Sequence, residues 1–288
     1  NLMGAAAAAA SGGATGFYSH QISNSCRFNY STGTYPSLVV PHMHRTNGTP
    51  TEAKKGTLSA WVKRAELTTV LGFTGTNSGS GFAKFEFTAA DIIRFYQVSN
   101  GSSADVDLRT TAVYRDVSAW YHFFVAFDST QAAAANRVKI YVNGEQVTVF
   151  GTETNPPEDQ AFFWTTDGGK LIVGSGADSA GDPWAPLSGY LAEFVLIDGL
   201  AYAPTDLGES KNGVWIPKDP SGLTFGTNGV HLKFESSSDL GNDSSGNNND
   251  FTVANVTAHD QMIDSPTFGS EGSANFPAWS PLIKGANN

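Results

Sequence analysis

Three loops gather the hard oxygen donors that a metal would want. They are "DLGNDSSGNNND" with Asp239, Asp243 and Asp250, "GADSAGDPW" with Asp178 and Asp182, and the short "NPPED". Carboxylate and carbonyl oxygens at this density suit calcium, although none of the three has the EF-hand spacing D-x-[DN]-x-[DN]-G. The same composition also suits loops in which Asp and Asn bond their own backbone. Both readings stay open, and calcium is the one cofactor candidate; no motif requires a cofactor. His42-Met43-His44 sets two imidazoles on one side of an extended segment, a metal pair only if symmetry or another segment adds ligands.

Tryptophans beside Pro or Gly are a second handle. Trp164 in "FFWTTDGG", Trp184 in "DPWAP", Trp215 in "GVWIP" and Trp279 in "PAWSP" could each present an indole on which a saccharide ring stacks, with Asp and Asn taking its hydroxyls. The competing use of a loop tryptophan is as a plug for the open end of a sandwich. Trp164, Trp184 and Trp215 are the ligand-binding candidates.

Catalytic patterns are missing from the sequence. A glucanase on a β-sandwich needs carboxylates alternating along one strand, as in E-x-D-x-x-E, so that acid and nucleophile flank one glycosidic bond. Glu86 and Asp91 are separated by a turn, and Glu158-Asp159 follow two prolines in a loop. There is no G-x-S-x-G elbow and no G-x-x-x-x-G-K-[ST] loop. His122 lies in a core strand, where a satisfied structural histidine is expected, so no residue is assigned a catalytic role.

The elements that must hold these residues are strands. "RVKIYVNGEQVTVF" alternates cleanly, with Val138, Ile140 and Val142 on one face, and Asn143-Gly144 is a strong hairpin signal because both turn positions need positive φ. "GFAKFEFTAADIIRFYQV" reads as a second hairpin turning near "TAAD". "GTLSAWVKRA" alternates at Leu58, Ala60 and Val62, with Trp61 out of pattern, which predicts burial on both faces. "WYHFFVAFD", "KLIVGSG", "GYLAEFVLIDGLAY" and "GVHLKFE" add further strands. Nothing sustains a helical period; "STQAAAANR" could make one or two turns. About ten short strands joined by short turns predict an all-β sandwich. The expected division is a flexible Ala/Gly/Ser leader over 1–16, a sandwich over 17–257, and a Pro/Gly-rich arm or linker over 258–288.

Charge narrows the partners. Seventeen basic against 27 acidic residues give a formal charge of −10, which repels phosphate backbones and anionic membranes, so neither nucleic acid nor membrane insertion is expected. Cys26 is the only cysteine, which excludes an intramolecular disulfide. The opening "NLMGAAAAAASGGATG" has no basic leader and little Leu, Val or Ile, a poor fit to a signal peptide.

The series "GTLSAWVKR", "RDVSAWYHFFVAFDSTQAAAANRVKIYVNGEQV", "GYLAEFVLIDGLAYAPTDLGE" and "LGNDSSGNNNDFTVANV" resembles concanavalin A-like, laminin-G-type jelly-roll domains. Its motif order, with "SGLTFGTNGVHLKFE" and "DSSGNNNDFT", is similar to the version found in surface proteins of tailed, often marine, bacteriophages. That resemblance implies a jelly roll with extended terminal arms and a non-enzymatic structural protein of the virion. It further implies host-surface adhesion or glycan binding as part of a tail fibre, or capsid decoration. A homotrimer docked to other virion proteins through residues 1–16 is the implied assembly. A polysaccharide-degrading enzyme is the remote alternative.

Overall fold

The computed structural model describes residues 17–29, 40–79, 81–99 and 103–267. The first strands are β1 (Ser25–Phe28), β2 (His42–Thr46), β3 (Lys55–Arg64), β4 (Leu71–Asn77) and β5 (Gly81–Phe87). Next come β6 (Ile93–Ser99), β7 (Ser103–Thr110), β8 (Tyr121–Asp128), β9 (Val138–Val142) and β10 (Glu145–Gln146). The chain continues through β11 (Phe150–Thr154), β12 (Lys170–Val173), β13 (Ser175–Ala177), β14 (Pro183–Pro186) and β15 (Gly189–Asp198). It closes with β16 (Gly208–Lys211), β17 (Val214–Pro217), β18 (Val230–Leu232), β19 (Thr252–Ala254) and β20 (Gln261–Met262).

Two eight-stranded antiparallel sheets face each other. Sheet A runs β10-β9-β8-β3-β15-β1-β20 with β18 also paired to β15, and sheet B runs β11-β7-β6-β5-β4-β12-β2-β19. Two-residue periodicity explains the main core. Leu58, Ala60 and Val62 of β3 and Phe123, Val125 and Phe127 of β8 point inward, where Phe73 and Phe85 of sheet B meet Phe123 at ring separations of 5.6 and 6.0 Å. The jelly-roll sandwich is therefore as expected, and the "STQAAAANR" stretch supplies only a 3-10 turn, Ala134–Asn136.

The centre of sheet A, β3, β8 and β15, is buried on both faces. Phe124, Val195 and Ile197 point outward into a second small core closed by Leu207 and Phe225, because segment 199–228 folds across the sheet. Trp61, outward on β3, joins a third cluster with Ile22 and Ala192. The strand that broke its alternation thus has two apolar faces to satisfy.

The Asn143-Gly144 turn is as predicted. Glu145 pairs with Val142, and the two turn residues have φ of 49° and 81°. The boundary expected at residue 257 is displaced. β20 pairs with β1, Ser25 Oγ donates to the Asp264 carbonyl, and Thr267 Oγ1 donates to the Ile22 carbonyl at 3.0 Å, so residues 258–267 belong to the folded body. The leader over 1–16 and residues 268–288 lie outside the described residues, as does Trp279.

Candidate functional site

Outside sheet A, beside the Asn143-Gly144 turn, lies a hollow of about 460 Å³ walled by Trp61, Trp120 and Trp215. Its rim carries Asn143, Gly144 and Glu145 of the β9–β10 turn and Ser210, Gly213 and Val214 of the β16–β17 hairpin. Three elements must converge to make it. β3 points Trp61 outward, the chain entering β8 supplies Trp120, and the covering segment folds Trp215 back over the sheet.

Each ring is fixed in place. His122 stacks on Trp61 at 4.8 Å and 24°, and Trp215 lies beside it with ring centroids 6.0 Å apart and 24° between planes. Trp215 Nε1 donates to His122 Nδ1 at 2.9 Å. Gly144 and Gly208 let this ring in, since a Cβ on either would come within 2.4 Å of it. Trp120 Nε1 donates to Asp264 Oδ1 at 3.1 Å, and that carboxylate also pairs with Lys63 at 2.8 Å. Rings held this way lose little freedom when a ligand arrives, which favours binding.

Behind the groove sits an arrangement that looks catalytic and is not. Ser59 Oγ lies 2.8 Å from His122 Nε2, and Glu193 lines the same small hollow. An indole N–H can only donate, so His122 Nδ1 must be bare and the ring proton must sit on Nε2, facing Ser59. A base for Ser59 would need that nitrogen empty. Burial also pushes the His122 pKa down to about 3. Glu193 is turned elsewhere, with His231 Nε2 at 2.7 Å and His20 Nε2 at 3.4 Å. The hollow itself, at about 10 Å³, has room for about one water.

A comparison of families matches residues 32–201 to the concanavalin A-like lectin/glucanases superfamily. The chain belongs to that superfamily. Among solved structures, a Bacteroides ovatus protein provisionally classed as carbohydrate-binding aligns at TM-score 0.54 and 16% identity, over 83% of this chain and 60% of that one. The native heptameric SAP-like pentraxin of Limulus polyphemus aligns at TM-score 0.46 and 15% identity, over 64% of this chain and 80% of that one. Domains LG4-5 of the mouse laminin α1 chain align at TM-score 0.37 and 11% identity, over 72% and 50% respectively. The chain thus spans three fifths of the Bacteroides protein and half of the laminin one. At these identities the likeness is one of fold. A search of curated proteins returns no match.

Within this lectin/glucanase domain the sequence-selected residues scatter. Trp164 is corrected outright. It is 0% exposed and stacked on Phe95 at 5.6 Å, so it has no free face for a sugar; its Gly/Asp-rich surroundings disguised a core residue. Trp184 is 41% exposed on β14, over sheet B and away from the groove, and Lys84 Nζ sits 4.0 Å from its ring centroid. Of the three only Trp215 reaches the hollow. Trp61 and Trp120 were missed, although an outward tryptophan breaking the alternation of β3 was a usable signal.

Asp243, one of the calcium candidates, bonds within its own loop. Its Oδ1 accepts from the N–H groups of His231 (2.8 Å) and Ser245 (2.9 Å), and its Oδ2 from Ser245 Oγ (2.7 Å) and Asn249 N (2.9 Å). Asp250 Oδ1 accepts from Asp243 N at 2.8 Å. Donors thus surround the oxygens a cation would need, as in a self-bonded Asx loop. Asp178 Oδ1 likewise accepts from the N–H groups of Ala180 and Asp182, both at 2.9 Å. Asp239 is exposed, and among the described residues no three His, Cys, Asp or Glu side chains converge as a metal group. The His42 and His44 rings stack at 5.2 Å, with His42 Nδ1 bonded to the Val40 carbonyl.

Proposed function

We propose that this chain is a non-catalytic glycan-binding module whose site is the groove of Trp61, Trp120 and Trp215. The observation that carries the reading is the pair of fixed, partly exposed indoles, Trp120 and Trp215, set beside the buried Trp61 around an open hollow, with a single carboxylate, Glu145, on its lining. Stacking on ring faces binds a pyranose by its C–H surface, and one exposed acid cannot supply the pair that glycoside cleavage needs. The Bacteroides neighbour supports the choice of ligand.

Its setting, on this reading, is the surface of a bacteriophage particle, where it serves host adhesion as part of a trimeric tail fibre attached to other virion proteins. What supports the setting is the motif resemblance of the sequence. Capsid decoration is the second reading. The test has two parts. Purified chain should bind host polysaccharide through Trp215 without shortening it; shortening would overturn the non-catalytic reading. Copy number on the particle, few at the tail or hundreds on the head, decides the position.

A further inference from the structure

Building on the saccharide reading of the groove, we infer that the site discriminates by charge: it binds neutral or amine-bearing pyranoses more tightly than uronates and other acidic sugars. Among the lining residues the one ionisable side chain is Glu145, exposed at the β9–β10 turn, and no Lys, Arg or His is present. Cations on the flanking strands are committed elsewhere. Lys63 pairs with Asp264 at 2.8 Å, and the Lys211 ammonium lies 5.5 Å from the Phe17 ring centroid. His122, directly behind the rings, is held neutral by its burial.

The polar contacts left for a ligand are correspondingly few. The indole N–H of Trp215 is used by His122 and that of Trp120 by Asp264. Asn143 Oδ1 accepts from His122 N at 2.8 Å, which leaves its amide NH2 for a ligand. Ser210 adds a hydroxyl and Glu145 adds acceptor oxygens. A sugar carboxylate would bring a second negative charge beside Glu145 with no cation to offset it, on a chain of formal charge −10. A sugar ammonium would find a partner there. For one exposed charge pair the expected discrimination is about 1.5- to 5-fold in each direction, larger at low salt.

The test is calorimetric titration of the whole chain at low ionic strength. The probes are pentamers of glucose, galactose and mannose, each beside its amine and uronate counterpart. On the backbone that binds, the neutral and amine forms should both exceed the uronate. Glu145→Gln should move both the amine-over-neutral and the neutral-over-uronate ratios measured for the unmodified chain toward one, because the local carboxylate is gone while overall charge changes by one unit. Trp215→Ala should weaken all three together. A uronate bound as tightly as its neutral counterpart, and lost in Trp215→Ala, would overturn the charge inference while leaving the glycan site intact. Failure of every pentamer to bind would remove the glycan reading and this inference with it.

Discussion

On the outer face of sheet A, Trp61, His122 and Trp215 lie ring against ring. The outer face of sheet B instead carries a ladder of ion pairs. Arg94 grips Asp107 with two bonds of 2.8 Å, Arg109 binds the same carboxylate at 3.0 and 2.8 Å, and Arg94 and Lys84 flank Glu86 at 3.6 and 4.0 Å. Burial pushes the Glu86 carboxyl up, against the opposing pull of Lys84 and Arg94. On sheet A the indole N–H groups of Trp120 and Trp215 lock those two partly exposed rings above a hollow. On sheet B Arg94, Arg109 and Lys84 answer Asp107 and Glu86, and the ring of Trp184, the most exposed tryptophan described, is shared with Lys84. Exposure alone therefore does not make an aromatic residue available to a ligand.

The strongest way to break this contrast is Asp107→Ala, which removes from sheet B the carboxylate shared by Arg109 and by Arg94, whose remaining partner is Glu86. Stability should fall by about 3 kcal/mol in denaturant melts, with saccharide affinity unchanged; a loss of binding would move the site to sheet B. Trp215→Ala should do the reverse in kind, weakening saccharide binding at least tenfold, about 1.4 kcal/mol. Trp215→Phe sharpens the point: the ring remains but His122 Nδ1 loses its donor, so stability should drop by about 1–2 kcal/mol while affinity stays within a few-fold.

A pH titration probes how the first described segment is tied to sheet A. Burial opposes protonation of His20, but the Glu193 carboxylate 3.4 Å away outweighs burial and raises its pKa above 6.5. Burial would raise the Glu193 carboxyl, yet His20 and His231 draw it down to about 2 from 4.5. The His20 contribution is thus full below pH 6.5 and lost as pH rises through its raised pKa. The Glu193 contribution is full above pH 4.5 and lost as pH falls toward 2. Amide-exchange protection of segment 20–25 should peak between these limits and decline on both sides; a flat profile would show that the pairing contributes nothing. Smallest of all, Trp184→Ala should change saccharide affinity by less than two-fold and stability by about 0.5–1 kcal/mol, the cost of its contact with Lys84.

The sandwich could be read in the sequence because its signals are local. Two-residue alternation marked β3 and β9, and a two-residue turn with positive φ marked the hairpin between β9 and β10. The site resisted because it is made by long-range convergence: Trp61 and Trp215 meet through His122 only after segment 199–228 has crossed sheet A. Polar neighbours misled in the same way. Trp164 looked like a loop residue and is core.

The most direct test of the central claim is to follow the indole N–H resonances of isotopically labelled chain while a bound oligosaccharide is titrated in. The prediction is that Trp120 and Trp215 shift in a saturable way, Trp164 and Trp184 stay fixed, and the sugar is recovered uncut. Shifts confined to Trp184, or cleavage of the oligosaccharide, would contradict the account.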